Sequence, residues 1–113
     1  MLALTQGDTR VEVDASNGAR LTQLTVAGRQ LLLPHEEGGD PVLGGCFPMV
    51  PWAGRVRQGR FTFEGIAVQL ELDAPPPALH GMAYRRSWTV DQTGAAQAEL
   101  RIDLSTPAMV AAG

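Results

Sequence analysis

Residues 44–63 read GGCFPMVPWAGRVRQGRFTF, a run in which one tryptophan and three arginines stand among apolar residues and prolines, with no carboxylate before Glu64. Arg55 offers a planar fork of donors that suits vicinal hydroxyls or a carboxylate. Trp52 presents a flat apolar face that can stack on a sugar ring, or serve as core or rim. A second chemical group is His80, which follows the prolines at 75–77 and precedes Gly81. Stiff backbone on one side and a free residue on the other aim its ring, and an imidazole can donate to or accept from a hydroxyl or ring oxygen near neutral pH. Each residue also has a plainer reading. Arg55 pairs with an acid such as Glu64 or is simply solvated, His80 caps a loop, Arg57 and Arg60 are surface charges, and Arg85 and Arg86 belong to a solvated loop.

Other chemistries find little support. The nine basic residues are all arginine, so imine formation through a lysine is not available. Cys46 is the single cysteine, which excludes an intrachain disulfide and fits a reducing compartment. Its neighbours Gly45 and Phe47 predict a small buried hydrophobe rather than a nucleophile. His35, Glu36 and Glu37 resemble a metal cluster, but adjacent residues on one loop do not converge as ligands, and no other His or Cys is spaced to complete zinc coordination. Neither a nucleophile elbow nor a phosphate-binding or dinucleotide-binding glycine motif is present. No metal, cofactor or catalytic residue is assigned.

The elements that must position Arg55 and His80 read as short strands. Val11 and Val13 alternate with Glu12 and Asp14, Ser16-Asn17-Gly18 signals a turn, and Leu21, Leu24 and Val26 begin a return strand. Ala27-Gly28-Arg29 turns again, and residues 31–33 predict a short apolar strand ended by Pro34. Residues 34–41, PHEEGGDP, predict an exposed acidic loop. Residues 44–63 should enter as a strand, break at the prolines and expose a loop. Phe61 and Phe63, then Val68, Leu70 and Leu72, predict a hairpin turned at Gly65 with one apolar face on the core. Residues 73–77, DAPPP, form a stiff extended connection. Trp88 and Val90 alternate with polar residues before a turn at Thr93-Gly94. Ala98, Leu100, Ile102 and Leu104 then give the most regular strand pattern. The tail at 106–113 is patternless.

No window sustains a helical period, and Gly and Pro together number 21 in 113 residues, which predicts an all-β sandwich or barrel in one domain. A net charge of -3 argues against nucleic acid and an anionic membrane as partners. The N-terminus lacks the basic and apolar regions of a secretion signal, and no run approaches the ~18 apolar residues of a membrane helix. A cytoplasmic protein is expected.

In order, the segments GARLTQLTVAGRQLLLP, FPMVPWAGRVRQGRFTFEG, ALHG and SWTV resemble the N-terminal portion of the aldose 1-epimerases, the galactose mutarotase-like proteins, over roughly residues 10–104. The resemblance implies a large antiparallel β-sandwich with a hexose-binding cleft, here one partial domain over residues 1–113 that is incomplete at the C-terminal side. It also implies an isomerase chemistry without a cofactor. A carboxylate takes the proton of the C1 hydroxyl, a histidine protonates the ring oxygen, and rotation before closure gives the other anomer. Arg55 matches the family's substrate-binding arginine, and His80 matches the first of two site histidines, which binds near the ring oxygen. Gly54 departs from the family's asparagine, which removes one hydroxyl contact. The family's glutamate base, second histidine and binding aspartate lie later than this chain reaches. The expectation is therefore a fragment with Arg55, His80 and Trp52 as binding residues, no catalytic residue, and little mutarotase activity of its own. Two other readings stay open. One is a non-catalytic carbohydrate-binding or sugar-sensing module; the other is a structural β-module that self-associates through open edges beside an uncovered apolar face.

Overall fold

A computed structural model of the chain describes residues 1–36, 38–70 and 78–104. Among them there is no α-helix; ten short strands and one 3-10 turn carry the backbone. The chain packs as two compact units, one formed by Met1–Pro48 with Ala83–Ile102 and the other built on Met49–Met82. The predicted connection at 73–77 and the tail at 106–113 lie outside the described residues.

The first unit is a four-stranded antiparallel meander, β1 (Leu2–Gln6), β2 (Thr9–Asp14), β3 (Arg20–Val26) and β4 (Arg29–Gln30). β1 is absent from the sequence reading above, although Leu2 and Leu4 alternate with Ala3 and Thr5. Its turn is also legible: Gln6 pairs with Thr9 across Gly7-Asp8, with Gly7 at φ 56, a two-residue hairpin of the kind that takes glycine first. The predicted turn at 16–18 joins β2 to β3, and Ala27-Gly28, at φ 50 and 76, joins β3 to β4. The predicted strand at 31–33 is not formed. The ladder ends at Gln30, and Leu31 and Leu33 are exposed. Near the other end of the unit, β9 (Thr89–Thr93) pairs with β10 (Ala98–Arg101), which is shorter than its alternation predicts and carries a register shift between Glu99 and Leu100.

At the centre of this unit a charge is buried. Arg20 has no exposed surface; its Nε donates to Asn17 O at 2.9 Å, its Nη2 donates to Tyr84 O at 2.9 Å, and its guanidinium lies 5.0 Å over the Phe47 ring. Phe47 in turn stacks on Tyr84 at 5.4 Å. His35 closes the group; the loop around it is exposed as expected at Pro34, Glu36 and residues 38–40, and His35 is the exception. It is buried, with Nδ1 2.8 Å from Leu43 O and 3.4 Å from Arg20 Nη1. One side chain of a polar loop turns inward here because the histidine satisfies a carbonyl beside a cation that the core already holds. Cys46 is a second correction, for it is exposed. Its backbone exchanges both hydrogen bonds with Leu21, at 2.8 and 3.0 Å, so the main chain rather than the thiol supplies the inward contact.

The second unit contains two small antiparallel ladders. β5 (Arg55–Val56) pairs with β8 (Ala78–Leu79), and β6 (Arg60–Phe63) pairs with β7 (Ile66–Gln69) after the 3-10 turn Arg57–Gly59. Its core is Val68, Leu70 and Ala78, with Trp52 and Val56 packed against them. Phe61 faces Val68 and Phe63 faces Ile66 across the hairpin, so all four share one face. The predicted apolar face exists, but the cluster reaches only its Val68 end. Phe61, Phe63 and Ile66 are 37%, 44% and 55% exposed, contrary to the expectation that the phenylalanines enter the core.

Candidate functional site

Residues 49–56 and 78–82 position the groups that the sequence singles out. Prolines at 48 and 51 bar a helix, and the Val50–Pro51 peptide is cis. Val50 then forms an isolated parallel bridge with Gly81 and accepts from Met82 N–H at 2.7 Å. Trp52 turns toward the core, and Arg55 and Val56 form the short ladder, Arg55 opposite Leu79 and Val56 opposite Ala78. Residues that lie 24 positions apart in sequence thus become neighbours in register, Arg55 beside the residue that precedes His80.

His80 is held at both its backbone and its ring. Its N–H donates to Gly54 O at 2.7 Å, and Gly54 N–H donates to its Nδ1 at 3.1 Å. The residue has φ 57 and is followed by Gly81 at φ 80. Left-handed backbone at a non-glycine residue costs on the order of 1–3 kcal/mol and persists only where its surroundings fix it. Here they do, because a Cβ at Gly81 would overlap the Val50 carbonyl, so only glycine admits this close approach.

Arg55 is exposed and makes no ion pair or side-chain hydrogen bond among the described residues, so the pairing with Glu64 weighed above does not form. Its guanidinium is left for solvent or a ligand. Trp52 is partly buried against Val68, Leu70 and Ala78, and its Nε1–H has no hydrogen-bond partner there. Arg60 is exposed and donates to Gln69 Oε1 at 2.8 Å, and Arg57 is exposed. Arg85 lies 5.1 Å over the Tyr84 ring. The concave surface over β6 and β7, about 450 Å³, is lined by Arg60, Phe61, Thr62, Ala67, Val68 and Gln69, and includes neither Arg55 nor His80. It is a groove across one hairpin.

Sequence reasoning took Gly54 only as a departure from the family's asparagine and missed that its amide meets the His80 ring. Its neighbour Arg55 drew attention through its side chain, whereas a backbone N–H leaves no trace in residue type. The only available signal was a glycine immediately before a strand that pairs with the segment leading to His80.

This arrangement, antiparallel throughout its strand ladders and without an α-helix in the described residues, belongs to the all-β class. Comparison with known proteins carries the assignment further. The family model for aldose 1-epimerase matches residues 1–109, and the chain belongs to that family. It is similar to the uncharacterized protein YihR of Escherichia coli (strain K12), 27% identical over 101 residues that cover 88% of this chain and 32% of the relative. It is also similar to the crystal structure of a candidate aldose 1-epimerase from Escherichia coli K12, with a TM-score of 0.74 and 26% identity over 83% of this chain and 33% of that one. The fold is accordingly that of an antiparallel β-sandwich family, and the chain spans about a third of the length of these relatives. No helix among the described residues is long and apolar enough to cross a membrane.

Proposed function

We propose that this polypeptide binds a hexose through Arg55 and His80, with Trp52 bracing the rim, as the sugar-binding part of an aldose 1-epimerase-like site. The observation that carries the reading is the Arg55–Leu79 pairing with the Gly54–His80 clasp at its end, which puts the backbone of the arginine opposite the residue that precedes an oriented imidazole. A guanidinium can donate to two vicinal hydroxyls at once, and an imidazole can serve the ring oxygen or the anomeric hydroxyl. Family membership supports the sugar as the class of ligand.

Anomer exchange also needs a base for the C1 hydroxyl and an acid for the ring oxygen, each placed within hydrogen-bond reach. The resemblance assigns no residue of the 113 to the base or to the second histidine. Binding without turnover is therefore the expected behaviour of this polypeptide. Titration with D-galactose or D-glucose, followed by Trp fluorescence and the His80 imidazole signals, should saturate, and optical rotation of freshly dissolved α-D-glucose should relax at the uncatalysed rate. Absence of any saturable change would remove the sugar reading. Robust acceleration of mutarotation would show that these residues already include the acid and base.

A further inference from the structure

The bond between Gly54 and the His80 ring determines which ring nitrogen holds the proton. A backbone amide nitrogen donates and cannot accept, so the atom 3.1 Å from it, His80 Nδ1, presents its lone pair. A neutral imidazole has one N–H, and with Nδ1 accepting it lies on Nε2. We propose that Gly54 acts as a positioning residue whose amide locks His80 in the Nε2–H tautomer, so that His80 meets its hexose as a hydrogen-bond donor. The identity of the ligand rests on the sugar reading above; the tautomer does not.

The lock has supports on both sides of the ring. Before His80, Leu79 is fixed in register opposite Arg55, and the His80 N–H already occupies Gly54 O at 2.7 Å. After it, Gly81 lies against the Val50 carbonyl too closely for any side chain, and Met82 N–H donates to the same carbonyl. The backbone at residue 80 therefore cannot slide, and the ring keeps Nδ1 on the Gly54 amide. Adding a second proton to the ring would set Nδ1–H against the Gly54 N–H, two donors facing each other, and the clasp would open.

This orientation limits the chemistry of the residue. A neutral Nε2–H can stabilise negative charge growing on a sugar oxygen by hydrogen bonding. Passing that proton on completely would leave an imidazolate, so outright protonation of the ring oxygen falls to another acid. His80 is in this respect a donor that polarises and orients.

Long-range 1H–15N correlation on the 15N-histidine-labelled chain at neutral pH reads the tautomer directly. His80 should show a pyridine-type Nδ1 and a pyrrole-type Nε2. His35, whose Nδ1 faces the Leu43 carbonyl, should show the reverse and serves as the internal standard. A pyrrole-type Nδ1 at His80, or two protonated nitrogens, overturns the proposal. In hexose titrations, His80→Gln can return an N–H to the distal position and should weaken binding by no more than about threefold. His80→Asn keeps only the acceptor for Gly54 and should weaken it about tenfold, the worth of one lost hydrogen bond. The opposite ranking overturns the donor role. The expected tautomer combined with no hexose response upholds the lock and defeats the sugar reading.

Discussion

The two histidines use the same ring atom in opposite ways, one in each compact unit. His35 Nδ1 lies 2.8 Å from the Leu43 carbonyl, which can only accept, and this shorter contact outweighs the 3.4 Å approach of Arg20 Nη1, so the proton belongs on Nδ1. His80 Nδ1 lies 3.1 Å from an amide, which can only donate, so the proton sits on Nε2. His35 is enclosed, and its Nε2 has no hydrogen-bond partner among the described residues. His80 is half-buried and directly follows the short strand that pairs with Arg55 and Val56. The two arginines beside them divide in the same way. Arg20 is consumed by two backbone carbonyls and an aromatic face, whereas Arg55 is exposed and uncommitted among the described residues. Residue type is common to each pair; what separates them is burial, for the first unit encloses Arg20 and His35, whereas in the second Arg55 is exposed and His80 half-buried.

Arg20→Met is the most severe challenge to this contrast. It strips the donors from Asn17 O and Tyr84 O, and each buried group left unpaired costs about 1–3 kcal/mol, so a loss of about 3 kcal/mol is expected in urea unfolding. Burial pushes the Arg20 guanidinium below its ordinary value, against the opposing pull of Asp14 and Tyr84, so desolvation already works against the charge. If the methionine variant were as stable as the parent, the cation would be a net burden and its cohesive role would fail.

The next largest effect separates two glycines of the second unit. Gly81→Ala drives a Cβ into the Val50 carbonyl and imposes left-handed strain, so a loss of roughly 3 kcal/mol or failure to fold is expected. Gly54→Ala, at φ +79, meets nothing within 4 Å and should cost only the strain, about 1 kcal/mol. Equal urea midpoints for the two variants would mean that the close approach at residue 81 does not hold the clasp. The smallest effect on stability belongs to Arg55→Ala, within about 0.5 kcal/mol of the parent. Its hexose affinity should nevertheless drop about tenfold by calorimetry, the worth of a charge-assisted hydrogen bond. A large loss of stability would place Arg55 with Arg20 and erase the distinction.

Much of the strand framework was legible because it depends on local chemistry. The turn at 16–18 and that at Ala27-Gly28 follow from residues that tolerate positive φ, and Val11 and Val13 follow from the two-residue period of a half-buried strand. β1 was legible as well, through Gly7-Asp8 and its alternating leucines. Other features lay outside local pattern. Alternation in Phe61 and Phe63 shows that they share a face but not how far the core beneath it extends, and that core stops at Val68. The acidic residues around His35 describe an exposed loop, and the burial of His35 within it depends on Arg20, 15 positions earlier. Cys46 has the composition of a buried site, yet backbone pairing with Leu21 leaves it outside.

The sequence by itself determined the all-β class and the principal hairpins, and it marked Arg55 and His80 as side chains with donors to offer, because propensity, period and donor inventory are properties of the residues. Only the tertiary structure decided that Arg20 and His35 belong to a core, and that Gly54 meets the His80 ring. Tautomer and commitment depend on which backbone group lies opposite each polar atom, and that is set by pairing between distant segments.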